Sequence, residues 1–104
     1  MGFLSNIFGS SSQTEDLKAI ISSGAFLVDV RSKAEFESGS AKGAVNIPVD
    51  QIDFHLDQFK GKDRIVVFCR SGNRSSHAKY TLEKNGIKNV VNGGTWQNVL
   101  KNQS

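Results

Sequence analysis

Residues 65–68 read Ile-Val-Val-Phe, and this apolar run limits the fold of the chain more than any other segment. Side chains along a strand point to opposite faces in turn, so a strand without polar residues is buried on both faces. A parallel sheet with helices on each side provides such an environment. We therefore expect residues 64–68 to form a central strand of an α/β structure.

Predicted strands and helices alternate along the chain. Further strands are expected at residues 26–30, 45–47 and 89–91, and Gly93-Gly94 is expected to be a turn. Segments with a helical spacing of apolar residues lie between the strands. This alternation predicts a parallel sheet covered on both faces, in which ligands bind beyond the carboxyl ends of the strands.

Capping residues indicate where the helices begin and end. Ser12 and Ser32 each precede a glutamate by three positions, which is the spacing of a capping box. Asp50 is expected to cap a further helix, another helix is expected over residues 75–85, and a last helix is expected over residues 95–100. Glycines close to the predicted ends, where a helix commonly stops, complete the pattern of short helices.

The length of 104 residues suits one domain with one modest core. Residues 1–13 are expected to be an N-terminal tail or short helix, and residues 14–104 to be the folded domain. A content of 38% hydrophobic and 22% charged residues is typical of a soluble globular protein. No apolar stretch approaches the ~20 residues of a membrane span, and the first residues lack the pattern of a secretory signal. A cytoplasmic protein is therefore expected.

The two parts of the chain differ in charge. Residues 1–63 carry six basic and nine acidic side chains, whereas residues 64–104 carry seven basic and one acidic side chain. The basic part can raise the local concentration of small anions. It contains no dense run of lysine and arginine, so nucleic acid is not an expected partner.

Cys69 is the only cysteine of the chain and directly follows the predicted central strand. It has no partner for an internal disulfide, and together with His55 and His77 it makes no recognisable metal site. No metal and no cofactor are therefore expected. If Cys69 takes part in sulfur chemistry, the second sulfur has to come from another molecule.

The loop after Cys69 has the composition of an anion-binding site. If the loop curls, its backbone N–H groups point inward, and the following helix adds the positive end of its dipole. Two arginines add positive charge and a glycine permits the tight turn, so a thiolate is favoured. The candidate catalytic residue is Cys69, and the candidate substrate-binding residues are Arg70, Ser71, Gly72, Asn73, Arg74 and Ser75.

Asp29 and Arg31 stand at the end of the first predicted strand. A buried carboxylate needs a partner of opposite charge, so we expect these two side chains to satisfy each other near the core. Glu35 is expected close to them. A structural role next to the site is favoured for all three residues over direct catalysis.

Four segments of the chain resemble the rhodanese (sulfurtransferase) family. The sequence Cys-Arg-Ser-Gly-Asn-Arg-Ser at residues 69–75 is similar to the active-site loop of that family. Residues 27–31 with 35–36 resemble its upstream strand and helix, residues 43–48 its next segment, and residues 92–94 its closing turn. Each segment is short, but they occur in the order and at the spacing of the family.

The resemblance implies a single-domain sulfurtransferase with a three-layer fold, in which helices flank a five-stranded, mainly parallel sheet. It implies that Cys69 takes a sulfane sulfur from an anionic donor such as thiosulfate and holds it as a persulfide. The acceptor would be cyanide or a thiol, including a protein thiol. The amides of residues 70–75 would cradle the sulfur, and Arg70 and Arg74 would orient the donor and the loop. A monomer or a weak dimer is expected.

Two features of the sequence depart from the family pattern. The family often has a histidine and a bulky aliphatic residue after the glycine that corresponds to Gly39, where this chain has Ser40 and Ala41. Trp96 also follows Gly94 sooner than the usual tryptophan of the family. Both differences concern the rim of the pocket and the last helix rather than the cysteine loop.

Other functions stay open on the residues alone. One is a non-catalytic persulfide carrier or protein-interaction module, in which a partner protein loads or reads Cys69. Another is a phosphatase or arsenate reductase. Tyrosine-phosphatase-like loops have one residue more than the four that separate Cys69 from Arg74. The shorter ring of amides suits one sulfur atom better than a phosphoryl group.

Overall fold

A computed structural model describes residues 16–104, in which four parallel strands form one sheet. In chain order the strands are β1 (Phe26–Asp29), β2 (Val45–Asn46), β3 (Ile65–Cys69) and β4 (Val90–Thr95). Their order across the sheet is β2-β1-β3-β4, so β3 has a neighbour on each side. Every residue of β3 is buried, which confirms the prediction from its apolar sequence. The described residues contain four strands, one fewer than the five that the resemblance implies.

Helical segments cover both faces of this sheet. The α-helices in the described residues are α1 (Leu17–Ser22), α2 (Lys33–Glu37), α3 (Asn73–Lys84) and α4 (Trp96–Lys101). Two 3₁₀ segments, Val49–Phe54 and Leu56–Gln58, follow β2. The predicted α/β class with a parallel sheet between helices is confirmed. Within residues 16–104, no helix has the length and hydropathy that crossing a membrane requires.

Alternate residues of β3 enter two apolar clusters on opposite faces of the sheet. Its first, third and fifth residues pack with α3 and the 3₁₀ segments. Its second and fourth residues pack with α1 and α4. Cys69 is the fifth residue, so its side chain lies on the face that α3 covers.

The capping box predicted at Ser32 is present. The Ser32 hydroxyl accepts a hydrogen bond from the Glu35 amide, and the Glu35 carboxylate accepts one from the Ser32 amide. At α1 the N-cap is Asp16, whose carboxylate accepts a hydrogen bond from an amide of the first turn. The capping box predicted at Ser12 and the tail predicted at residues 1–13 lie outside the described residues.

Asp50 does not cap an α-helix, and this prediction is wrong. Pro48 occupies the N-cap position, and Asp50 lies in the first turn of the 3₁₀ segment Val49–Phe54. His55, with φ −131° and ψ 26°, then interrupts the helical backbone before Leu56–Gln58. Two tight turns therefore place the apolar residues of this region in the core without a regular helix.

Helix α3 begins at Asn73, two residues before the start predicted at Ser75. Gly72 is the N-cap and has φ 97° and ψ −11°, a left-handed conformation that glycine adopts without steric cost. This conformation lets the chain turn from β3 directly into α3. Ser75 then falls in the first helical turn, where it has no exposed surface.

Gly93 and Gly94 belong to β4 and do not form the predicted turn. Asn92 pairs with Val67 and Gly94 pairs with Phe68, so Gly93 is an extra residue between them. An extra residue in one of two paired strands is a β-bulge, which bends the strand and re-aims its side chains. The bulge lies in the strand next to Cys69.

We predict that Gly93→Ala destabilises the fold. An added Cβ atom would lie 2.8 Å from Cγ1 of Val66 and 2.8 Å from Cγ2 of Val99, so buried side chains would have to move. Overpacking of this kind lowers the free energy of unfolding by about 1–3 kcal/mol, which urea unfolding followed by circular dichroism can measure. Val99→Ala should lower the free energy of unfolding less in the Gly93→Ala background than in the wild-type protein, because it makes room for the new methyl group. Equal costs in both backgrounds would contradict this account.

Candidate active site

Cys69 is the last residue of β3 and lies at the carboxyl edge of the sheet. Its side chain has no exposed surface. The chain from Arg70 to Gly72 turns at this edge before α3 begins at Asn73. A reagent therefore reaches the sulfur only when neighbouring groups move aside.

Hydrogen-bond donors surround the Cys69 sulfur. The Gly72 N–H donates to Sγ over 3.0 Å, and Ser75 Oγ lies 3.4 Å from Sγ. Burial alone would raise the pKa of the thiol. The Ser75 hydroxyl and the backbone amides of Ser75, Ser71 and Gly72 outweigh burial, so the pKa of Cys69 lies below its ordinary value. The loop therefore favours the thiolate.

Arg74 is held by an ion pair with Glu35 of α2. Its Nη1 and Nη2 donate to the two carboxylate oxygens over 2.8 and 3.1 Å. This bond, together with hydrogen bonds from the Ser32 amide and hydroxyl, lowers the pKa of the Glu35 carboxyl to about 2. It also raises the pKa of Arg74, to which the charge of Cys69 contributes as well. Glu35 therefore binds the loop and takes no part in the pair between Asp29 and Arg31 that the sequence predicted nearby.

Arg70 differs from Arg74 because its side chain is exposed. Ser71 and Asn73, the neighbouring polar residues of the loop, are exposed as well. The structure thus separates the two arginines of the loop, since one is engaged with α2 and the other lies at the surface.

Asp29 and Arg31 form a buried ion pair, as the sequence predicted. Arg31 Nη2 lies 2.7 Å from Asp29 Oδ2, and Arg31 Nε lies 3.0 Å from each carboxylate oxygen. Arg31 also donates to the Gly39 carbonyl and lies over the Trp96 ring, 5.2 Å from its centre. The Ser40 hydroxyl donates to Asp29 Oδ2 over 2.6 Å. The residue that departs from the family pattern therefore helps to satisfy this carboxylate.

Asn92 of β4 contacts the cysteine loop, which the sequence analysis did not predict. Its Oδ1 accepts hydrogen bonds from the Ser75 hydroxyl over 2.7 Å and from the Gly94 amide over 2.9 Å. Its Nδ2 donates to the Gly72 carbonyl over 3.2 Å and to the Ser76 hydroxyl over 3.0 Å. Finding this residue requires the strand order and the bulge, which the apolar pattern does not show.

Comparison with known proteins matches residues 13–96 to the family described as the rhodanese-like domain. The sulfur carrier candidate YrkF of Bacillus subtilis is 35% identical over 66 residues, which are 64% of this chain and 36% of that protein. A sulfurtransferase of Allochromatium vinosum is 33% identical over 66 residues, which are 64% of this chain and 62% of that protein. The chain thus spans less than two thirds of the length of either relative.

The fold also matches solved structures. The human single-domain sulfurtransferase TSTD1 superposes with a TM-score of 0.71 at 28% sequence identity. The match covers 88% of this chain and 95% of that one. The described sheet and its flanking helices therefore have the architecture of a single-domain protein of this kind.

We predict that Glu35→Gln lowers the free energy of unfolding at neutral pH. It should also remove part of the loss of stability that the wild-type protein shows as the pH falls. The Arg74 ion pair, with the hydrogen bonds from Ser32, lowers the pKa of Glu35 from 4.5 to about 2. A carboxyl whose pKa is lowered in the folded state stabilises the fold above pH 4.5, and this contribution disappears as the pH falls towards 2. Urea unfolding across that pH range should show that the free energies of unfolding of the wild-type protein and the variant become equal at the acidic end. The effect is moderate because both side chains are partly exposed.

Glu37→Gln is the matched control for this prediction. Glu37 lies on the same helix, and its pair with Lys33 spans 3.9 Å between two exposed side chains. Exposed pairs contribute little to stability, so this variant should unfold like wild type across the same pH range. If both variants behave alike, the Glu35–Arg74 pair does not stabilise the loop.

Proposed function

This chain belongs to the rhodanese-like domain family, and on that basis we propose that it is a sulfurtransferase whose Cys69 passes a sulfane sulfur from a donor to an acceptor. The donor is a small anion such as thiosulfate. The acceptor is cyanide or a thiol, and that thiol can belong to a protein. The sulfurtransferase of Allochromatium vinosum among its relatives supports this class of reaction.

The surroundings of the Cys69 sulfur are the observation that carries the proposal. Donors at Gly72 and Ser75 meet Sγ, and they hold the pKa of the thiol below its ordinary value. The thiolate is the form that attacks another sulfur atom. Cys69 is the only cysteine, so no disulfide within the chain competes for the transferred sulfur. The sulfur leaves only to another molecule.

The first half-reaction loads the cysteine. The Sγ thiolate attacks the outer sulfur of thiosulfate, and a bond forms between Sγ and that sulfur. The bond between the outer sulfur and the sulfonate breaks, and sulfite leaves with its electron pair. Cys69 becomes a persulfide with the negative charge on the terminal sulfur. Charge is conserved, and the step needs neither a proton nor an external oxidant.

The second half-reaction returns the enzyme to its starting state. Cyanide or a thiolate attacks the terminal sulfur of the persulfide, and the bond between that sulfur and Sγ breaks. The product is thiocyanate or a new persulfide on the acceptor, and Cys69 leaves as a thiolate. A low thiol pKa assists this step as well, because it makes Cys69 a better leaving group.

Arg70 is the residue that we propose to draw in the donor. It is exposed beside the buried sulfur, whereas Arg74 is already paired with Glu35. A guanidinium binds an oxyanion through two parallel hydrogen bonds, which suits the sulfonate of thiosulfate. Arg74 instead positions the loop.

We predict that thiosulfate converts Cys69 to a persulfide. Intact-protein mass spectrometry should show a gain of one sulfur atom, and sulfite should appear in the solution in equal amount. Cyanide should then remove the added mass and yield thiocyanate. Cys69→Ser is the control and should show none of these changes. A wild-type protein that is alkylated normally but gains no sulfur from thiosulfate would contradict the proposed donor.

We predict that Arg70→Ala weakens the use of thiosulfate. A hydrogen bond to a charged group contributes about 1.5–3 kcal/mol, so kcat/KM for thiosulfate should fall about tenfold or more. Lys88→Ala is the matched control, since it removes another exposed positive charge from the basic part of the chain. Equal losses in the two variants would indicate a general field effect and would contradict a specific contact at Arg70.

A second candidate function is a persulfide carrier that a partner protein loads. The similarity to the sulfur carrier candidate YrkF supports it. A carrier exchanges sulfur with a protein persulfide faster than with thiosulfate. Comparing the two loading rates by mass spectrometry separates the candidates, and hydrolysis of an aryl phosphate that Cys69→Ser abolishes would point to neither.

A further inference from the structure

The Ser75 hydroxyl stands among three hydrogen-bond acceptors and has one proton to donate. Its Oγ lies 2.7 Å from Asn92 Oδ1, 3.1 Å from the Gly72 carbonyl oxygen and 3.4 Å from Cys69 Sγ. Ser75 has no exposed surface, so its hydroxyl donates to a group of the protein and not to water. The Cys69 thiolate is stabilised by this hydroxyl only when the hydroxyl donates to Sγ.

Two backbone groups determine the orientation of the Asn92 amide. The Gly94 N–H can only donate, and it meets Oδ1 at 2.9 Å. The Gly72 carbonyl can only accept, and it meets Nδ2 at 3.2 Å. A flipped amide would place two donors together on one side and two acceptors on the other. The atom next to the Ser75 hydroxyl is therefore an acceptor, and it competes with the sulfur.

We propose that Asn92 is a positioning residue for Cys69, whose amide oxygen holds the Ser75 hydroxyl while Sγ is uncharged and releases it to Sγ when negative charge develops there. This role rests on the sulfur chemistry proposed above. It assigns to β4 a part in the reaction that neither the family resemblance nor the cysteine loop indicates by itself.

In the thiol form, the Cys69 S–H donates to Ser75 Oγ and the Ser75 O–H donates to Asn92 Oδ1. When the thiol loses its proton to solvent, Sγ becomes an acceptor, and the Ser75 O–H turns towards it. A hydrogen bond to a charged acceptor is about twice as strong as one between neutral groups, which favours this change. Asn92 Oδ1 keeps its bond from the Gly94 amide, so no buried acceptor is left without a donor.

The same hydroxyl serves the persulfide. Once sulfur is attached, the negative charge lies on the terminal atom, and Sγ is neutral. The Ser75 O–H then returns to Asn92 and leaves the loop amides to the terminal sulfur. When the acceptor removes that sulfur, charge reappears on Sγ, and the hydroxyl stabilises the departing thiolate. The hydroxyl thus changes partner twice in each catalytic cycle.

Asn92 also supports the loop directly. Its Nδ2 donates to the carbonyl of Gly72, the residue whose N–H donates to Sγ. It donates as well to the Ser76 hydroxyl in the first turn of α3. If Asn92 had a purely structural role, these bonds to the loop would be its whole contribution. A test therefore has to separate support of the loop from control of the Ser75 hydroxyl.

Several other charged or titratable groups lie on the elements around the cysteine loop. They are Arg70 and Arg74 on the loop, Asp29 and Arg31 at the end of β1, Glu35 on α2 and His77 on α3. Arg74 senses the charge of Cys69, which contributes to its raised pKa, and its ion pair with Glu35 does not involve Asn92. A change at Asn92 can therefore reach the sulfur through Ser75, through the loop amides or, where it alters the charge, directly through space.

The test compares thiol ionisation in Asn92→Asp, Ser75→Ala and the double variant. The measurement is the pH dependence of Cys69 alkylation by iodoacetamide, which needs no sulfur donor and stays informative if the proposed function fails. A carboxylate at position 92 binds the Ser75 proton more tightly, so the midpoint should rise by about one pH unit. In the Ser75→Ala background the same change should shift the midpoint by less than half as much, because no hydroxyl remains to be held.

Asn73→Asp is the matched charge control, since it places a carboxylate at an exposed position at the start of α3, close to the cysteine loop. Its shift should be small and should be the same with and without Ser75→Ala. An Asn92→Asp shift that is equal in both backgrounds would overturn the proposal, because the charge would then act through space or through a loosened loop.

A second measurement covers the case in which the Asn92 variant does not fold. The side-chain amide of Asn92 gives its own NMR signals, and these should titrate with the Cys69 midpoint in the wild-type protein. They should no longer do so in Ser75→Ala, where the hydroxyl between the two groups is missing. Signals that ignore the thiol titration, or that follow it equally in Ser75→Ala, would overturn the proposal.

Discussion

The site depends on the burial of β3 on both faces up to its last residue. Burial removes water from around Cys69, so the sulfur can be charged only if the protein supplies hydrogen bonds in place of the solvent. The left-handed turn at Gly72 supplies them, because it starts α3 at once and directs amides and the Ser75 hydroxyl to Sγ. Burial in the central strand therefore leaves the sulfur in need of hydrogen-bond donors, and the loop directly after the strand provides them.

Two neighbouring elements hold this loop from different sides. Arg74 ties it to α2 through Glu35, and Asn92 ties it to β4 through the Gly72 carbonyl. The first contact is an ion pair near the surface, and the second is a set of partly buried neutral hydrogen bonds. Ionic strength and acid act mainly on the first, so the attachment to β4 persists where the attachment to α2 weakens.

Most of the architecture follows from patterns that are local in the chain. The apolar run of β3, the alternation of strands with helices, the Ser32 capping box and the position of Cys69 can all be predicted from neighbouring residues. The turn conformation at Gly72 and the bulge at Gly93 cannot, because tertiary packing selects them. The role of Asn92 depends on both, and it lies far from Cys69 in sequence although it is adjacent in space. Ser75 has a typical capping residue type, and only the early start of α3 turns it towards the sulfur.

The bulge at Gly93 has a consequence for how such a chain can diverge. It adds one residue between Asn92, which contacts the cysteine loop, and Thr95, whose hydroxyl caps α4. A deletion or insertion in this stretch would turn Asn92 to the other face of the sheet or shift the start of α4. Among homologues, the spacing between these two positions should vary less than the length of exposed connections such as the one before β3. Alignments that allow gaps there would misplace a residue of the site.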